Sequence, residues 1–192
     1  MAKITIIVGH SRRDTYCEFL GQCYKRGAES AGHQVSLFVL SRLSFDPILK
    51  EAYDRPQILE PDLQTAYHAM KTSNHFVIVF PLWCGDMPAI LKGFIERILQ
   101  PDLVALQQKA GRMGLNLRIF SKTSARIIMT MGMPALFYRL YFHAHALKLL
   151  QRNILQFIGV RPVHNSLLGM VHDERRRDKF MGHVEELGRR AA

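Results

Sequence analysis

Two short segments carry residue types that could do chemistry together. The first, GHSRRDTYC at Gly9 to Cys17, sets Ser11, Arg12, Arg13 and Thr15 between an apolar run and a helical pattern. Unpaired backbone N–H groups and the positive end of a helix dipole favour a phosphate at such a point, and hydroxyl and guanidinium groups can add hydrogen bonds. The spacing is neither that of a Walker loop nor that of the glycine-rich dinucleotide motif. Taken alone, the segment reads equally well as a polar strand-to-helix turn with a capping residue. The second, PLWCGDMP at Pro81 to Pro88, places Trp83 and Cys84 beside Gly85. Flat and apolar side chains next to a glycine make a wall for a planar ligand that backbone amides can approach. A lone Trp is more often a core residue, by about two to one.

A third segment, MTMGMP at Met129 to Pro134, holds Thr130 and Gly132 among three methionines. The methionines read as gap fillers. The hydroxyl and the unhindered amides could meet the carbonyl and ring-nitrogen edge of a flavin. Beyond them, Tyr138, His143 and His145 are candidate proton donors, although such residues on a helix are more often fillers.

The elements around these segments alternate. Ile4–Val8, Val35–Val39, Phe76–Phe80, Ala125–Thr130 and Val163–Leu168 are short apolar runs that read as strands. Helical spacing follows from Asp14 or Thr15 to near Gly32, over Asp62–Lys71, over Ala89–Leu99, in one long helix ending near Phe157, and over Asp173–Arg189. The Pro-punctuated stretch Asp46–Pro61 is too irregular for a long element, and Pro101–Thr123 reads as a loop insertion. Five strand–helix alternations point to one α/β domain over residues 1–192, with a parallel sheet covered on both faces. Ligands of such sheets bind outside the carboxyl ends of the strands, where all three segments fall.

Composition narrows the class. The chain has 192 residues, 48% of them hydrophobic and 22% charged, and a net charge of +10. That excludes disorder and collagen-like repeats, and a chain this long buries about 70% of its unfolded surface without staples. The three cysteines, Cys17, Cys23 and Cys84, show no metal-ligand or disulfide pattern, so a reducing compartment and no metal site are expected. No run approaches the roughly 20 apolar residues of a membrane span, and the N-terminus lacks a signal-peptide cleavage site. A cytoplasmic protein is expected. The basic residues are scattered and lack interleaved aromatics, which argues against nucleic acid as partner. The charge does suit peripheral contact with an anionic membrane.

With these residues in view, the chain resembles the flavodoxin-like NAD(P)H:quinone oxidoreductase family. FPLWCGDMPAILKGFIERIL at Phe80–Leu99 is similar to the family's flavin segment, GHSRRDTYCEFL to its phosphate loop, MTMGMP to its third flavin loop, and RNILQFIGVRP at Arg152–Pro162 to the run into the last strand. The resemblance implies a doubly wound five-stranded sheet of order 2-1-3-4-5. It implies that His10, Arg13, Thr15, Tyr16 and Cys17 lie along the phosphate and ribityl chain of the flavin. Pro81, Leu82, Trp83, Cys84 and Gly85 would border the ring, and Thr130, Met131 and Gly132 would face its other edge. Tyr138 matches the active-site tyrosine, and His145, with His143 as alternative, would take the histidine role. FMN is expected over FAD, with NAD(P)H as co-substrate, a quinone-like acceptor, and two-electron ping-pong transfer in a homodimer joined through Leu136, Phe137, Leu140, Tyr141 and Phe142. Cys17, Cys84 and Met133 depart from the residues common in the family, and Gln100–Lys122 lacks an aromatic-rich run often found there. Two other readings compete: an electron carrier of the flavodoxin type, disfavoured because such carriers meet basic partners with an acidic face, and a flavin-binding ancillary subunit of a membrane transport protein.

Overall fold

The computed structural model describes every residue except Glu51, Tyr53 and 111–117, and only the backbone of 107–110. Five strands, β1 (Lys3–Val8), β2 (Gln34–Val39), β3 (His75–Pro81), β4 (Ser124–Thr130) and β5 (Val163–Leu168), form one sheet of order β2-β1-β3-β4-β5. Every pairing is parallel. The expected flavodoxin-like doubly wound sheet is therefore the observed one.

Parallel strands buried on both faces must be apolar at successive positions, because side chains alternate across the sheet. On one face Ile4, Ile6 and Val8 of β1, Val77 and Val79 of β3, and Ile128 of β4 pack on Leu20, Tyr24 and Ala28 of α1 (Tyr16–Ser30) and Val184 of α6 (Glu174–Arg190). On the other, Ile7, Phe76, Ile78, Phe80, Ile127 and Met129 meet α2 (Pro61–Thr72) through Leu63 and Met70, and α3 (Ala89–Ala110) through Leu91, Phe94 and Ile98. Helices α1 and α6 touch backbone to backbone. A Cβ on Gly27 would lie 1.9 Å from the Glu185 carbonyl oxygen, so only glycine permits that approach.

Two expectations are corrected. The helix expected over Ala89–Leu99 continues through Pro101 to Ala110, where a loop was expected. A proline inside a helix costs about 3 kcal/mol, and here tertiary contacts offset it. Val104 is buried, and the Asp102 carboxylate accepts hydrogen bonds from the Tyr67 hydroxyl at 3.2 Å and the Lys71 ammonium at 3.0 Å, both on α2. Part of the expected insertion, residues 111–117, lies outside the described residues. The long helix expected up to Phe157 is in three pieces: α4 (Ala135–Leu140), α5 (His145–Lys148) and π-helical turns over Leu149–Gln156. His143 (φ 49°) and Ala144 (φ 52°) adopt left-handed backbone between α4 and α5, which ends the helix there.

The irregular Asp46–Pro61 stretch is stitched to α3 by Arg97. Its guanidinium is buried, donates to the Asp46 and Ile58 carbonyls, and pairs with Glu60 at 2.8 Å. Gln100 adds hydrogen bonds to the Ala52 and Arg55 carbonyls.

At the amino end of β3, His75 is 2% exposed, lies near-parallel to Tyr24 at 6.2 Å between ring centroids, and shares a 2.7 Å hydrogen bond between Nδ1 and Ser124 Oγ. Burial, and then the Arg126 charge, hold its pKa at about 4, against 6.5 ordinarily. Between those values the unfolded chain binds more protons than the folded one, so folding stability falls as pH drops from 6.5 towards 4. The loss amounts to about 3 kcal/mol at most. Unfolding free energies from urea titrations at pH 7 and pH 4.5 are expected to differ by that order, and His75→Gln is expected to flatten the difference.

Candidate functional site

Order β2-β1-β3 sends the chain after β1 to one face and the chain after β3 to the other, leaving a crevice between their carboxyl ends. Three loops meet there, each tied to the strand beside it. The Gly9 amide donates to the Val79 carbonyl, the Leu82 amide to the Thr130 carbonyl, and the Met131 amide to the Leu168 carbonyl, each at 2.8 Å. A Cβ on Gly9 would stand 2.6 Å from Leu91 Cδ2, so glycine lets the first loop pass against α3.

In the first loop Thr15 caps α1, its hydroxyl accepting from the Glu18 amide at 3.4 Å. The amides of Tyr16 and Cys17 in the same turn have no acceptor in the chain among the described residues. A carboxylate at this helix end would oppose an incoming anion, but Glu18 is engaged. It accepts from the Asp14 amide at 2.9 Å and pairs with Arg42 at 2.9 Å, and Arg42 also pairs with Asp14 at 2.7 Å. Arg12 and Arg13 are exposed and have no carboxylate partner among the described residues. His10 Nδ1 accepts from the Arg12 amide at 2.9 Å, which leaves the proton of the neutral ring on Nε2. Burial, and then the Arg12 charge, lower its pKa. Tyr16 faces away from this turn: its hydroxyl donates to the Arg177 carbonyl at 2.9 Å. Cys17 is buried, with Sγ 3.5 Å from Thr130 Oγ1, so the first and third segments touch beneath the crevice. Burial pushes the Cys17 thiol up to about 11.

The second loop is a tight turn. Trp83 and Asp86 exchange backbone hydrogen bonds of 2.9 and 2.8 Å, and both central residues, Cys84 (φ 48°) and Gly85 (φ 80°), are left-handed. The turn lifts Trp83 out of the core to 42% exposure, so the usual structural explanation for a lone Trp does not hold here. Its ring meets His10 edge-on at 4.7 Å. Cys84 and Gly85 are exposed, and nothing lies within 4 Å of a Cβ placed on Gly85. Pro81 and Leu82 are half-buried where β3 leads into the turn.

In the third loop Thr130 and Met131 are buried and Gly132 is exposed. His172, which the sequence reading passed over, brings Nε2 within 3.7 Å of a Cβ placed on Gly132. The pairing of Glu18 and Asp14 with Arg42 likewise has no local signal, because Arg42 comes from beyond β2 and only the fold brings it to α1. Tyr138 is 1% exposed, and its hydroxyl accepts from the Leu147 amide at 3.3 Å. Burial raises its pKa, against the smaller opposing effect of the Leu147 and Ala146 amides. His145 is exposed at the start of α5, its ring 6.0 Å from that of His143. The structure thus joins His10 to Trp83 and Cys17 to Thr130, and it sets Tyr16 apart.

These residues fit a phosphorylated planar ligand. Two unpaired amides at a helix N-terminus beside Arg12 and Arg13 suit a phosphate, and an exposed Trp83 next to the open Gly85 suits a flat ring. No group of His, Cys, Asp or Glu able to hold a metal ion occurs among the described residues. Among them, no helix is long and apolar enough to cross a membrane.

Known proteins show the same organisation. A family model of the flavodoxin-like fold matches residues 2–191. An uncharacterised NAD(P)H oxidoreductase of Escherichia coli K12, YcaK, is 28% identical over 102 residues, 50% of this chain and 52% of that protein. The chain thus spans about half the length of that relative. The NAD(P)H:quinone oxidoreductase of Methanothermobacter marburgensis superposes with a TM-score of 0.79 at 21% identity, covering 97% of this chain and 94% of its own. An FMN-dependent NADH-azoreductase of Bacillus anthracis, solved in complex with FMN, superposes with a TM-score of 0.68 at 18% identity and full coverage of both chains. At these identities the structural likenesses establish the fold.

Trp83 is the one tryptophan of the chain, so intrinsic fluorescence reports on the second loop. Because the pKa of His10 is lowered, Trp83 emission is expected to hold steady through the ordinary histidine range and to change only below it. His10→Ala is expected to abolish that transition. Of the three cysteines, Cys84 alone is exposed, so a disulfide reagent is expected to titrate one thiol in the native protein and three after denaturation.

Proposed function

The chain belongs to the flavodoxin-like fold family, and we propose that it is a flavin-dependent NAD(P)H oxidoreductase passing two electrons to a quinone or a similar acceptor. The observation that carries this reading is the exposed Trp83 turn, standing at the carboxyl edge of the sheet beside the unpaired amides of the first loop. The names of the E. coli and M. marburgensis proteins, and the FMN held by the B. anthracis enzyme, support it.

FMN is the expected cofactor. Arg12, Arg13, the Thr15 turn and the amides of Tyr16 and Cys17 would hold its phosphate, while Trp83, Cys84 and Gly85 border the ring and Thr130 and Gly132 face the opposite edge. Bound there, FMN would supply hydride acceptance and two-electron release. The remaining tasks fall to the chain. Amides of the second and third loops would stabilise negative charge on the edge of a bound ring, and the rigid strand ends would hold those loops in place. Tyr138 is suited to donate a proton. Its oxygen accepts from backbone amides that favour the phenolate, while burial keeps the proton in place until a stronger base arrives. His145, exposed on α5, is the second candidate. In this reading the protein is a cytoplasmic homodimer, with its interface on the exposed α4 face, where Phe137, Tyr141 and Phe142 cluster with ring centroids 4.9 to 5.7 Å apart.

The test is the visible spectrum of the purified protein mixed anaerobically with FMN and then with NADPH or NADH. Bleaching of bound flavin, reversed by a quinone, is expected. Bound FMN that neither nicotinamide bleaches would move the protein to the electron-carrier or ancillary-subunit class, and failure to bind FMN would remove the flavin reading. Arg13→Ala combined with Thr15→Ala is expected to weaken FMN binding by about tenfold to a hundredfold, measured by flavin fluorescence.

A further inference from the structure

The cations of α6 are of two kinds. Arg176 pairs with Asp173 at 3.2 Å, Arg177 with Glu174 at 3.3 Å, Arg189 with Glu185 at 2.9 Å and Arg190 with Glu186 at 2.8 Å, each partner three or four residues away. Arg175 and Lys179 have no ion pair among the described residues, and of the two only Lys179 lines a groove beside this helix. The neighbours of Lys179 at a spacing of four are Arg175 and His183, neither of them a carboxylate, and the like charge of Arg175 at that spacing is unfavourable.

Lys179 also faces open space. Arg176, Lys179, Phe180 and His183 form one wall of a groove of about 730 Å³, and Leu136 and Leu167 contribute to the other side. That volume lies within the range of small-molecule sites, about 300 to 1,000 Å³. Gly169 brings β5 and the start of α4 flush at the base, since a Cβ there would stand 2.3 Å from the Ala135 amide nitrogen. Leu136 is 67% exposed, and no carboxylate lines the groove. The groove therefore combines apolar walls with cations, one of them unneutralised, and lies apart from the first and second loops. Its complement is a molecule with an apolar body and one anionic end.

We propose that this groove binds an amphipathic organic anion, with its apolar body against Leu167 and Phe180 and a carboxylate or sulfonate at Lys179, assisted by Arg176 and His183. The inference does not rest on the flavin reading, and its test needs no turnover.

The test is isothermal titration of the protein, with and without saturating FMN, using 2-naphthoate and its uncharged counterpart 2-naphthalenemethanol. One naphthoate site is expected in both cases, at least tenfold tighter than the alcohol and weakening as salt rises. Lys179→Glu is expected to weaken naphthoate at least tenfold, whereas Lys122→Glu, at the opposite end of the sheet, leaves it unchanged. Lys179→Glu places a carboxylate between Arg175 and His183, so it supports the helix and lost binding is not lost folding. Equal affinity for acid and alcohol, or undiminished binding by Lys179→Glu, would overturn the proposal. So would naphthoate binding that disappears as protein concentration rises, because the groove would then be covered by a second copy of the chain.

Discussion

Everything at the crevice depends on a parallel sheet buried on both faces. Its central strand β3 supplies apolar side chains at successive steps from Phe76 to Phe80, and its crossovers must lie on one face or the other. Once β1 and β3 are neighbours with crossovers on opposite faces, the loops that follow them diverge, and backbone groups are left available between them. The three 2.8 Å hydrogen bonds from Gly9, Leu82 and Met131 extend the ladder into the loops. The reactive-looking segments thereby inherit the rigidity of the strands.

Charge at the crevice is arranged with the same economy. A helix N-terminus attracts anions, and Glu18 in the first turn of α1 would compete as an internal one. The ion pairs of Arg42 with Glu18 and Asp14 turn that carboxylate into part of the scaffold. Arg12 and Arg13 are then charges at the mouth without a carboxylate partner among the described residues. They stand at the same helix end where, among the described residues, the amides of Tyr16 and Cys17 also lack acceptors.

Much of this was legible in the sequence because it depends on local pattern. Short apolar runs marked β1 and β3, Asp14 or Thr15 marked the start of α1, and Asp173 marked that of α6, where its side chain caps the helix at 3.2 Å. What local pattern could not carry was long-range compensation. Pro101 looks like a helix stop until Asp102 is seen holding Tyr67 and Lys71, and no periodicity announces the left-handed residues His143 and Ala144 that divide α4 from α5. The site followed the same rule. Trp83 and Gly85 announced themselves by type and spacing, whereas Arg42 and His172 belong to the crevice only because the chain returns there twice more.

The site residues separate into two tiers with different physical duties. Cys17, Thr130, Met131 and Tyr138 are buried; Cys17 and Thr130 meet side chain to side chain, and the Tyr138 oxygen accepts from the Leu147 amide. Trp83, Cys84, Gly85 and Gly132 are exposed, and the turn that carries the first three accepts left-handed backbone at Cys84 to present them. A strained exposed turn is stable only on a support that does not yield, and the buried tier is that support. This division also explains why Cys17 can stand at the base of the crevice as a thiol that burial keeps protonated, while Cys84 at its rim is the cysteine open to reagents.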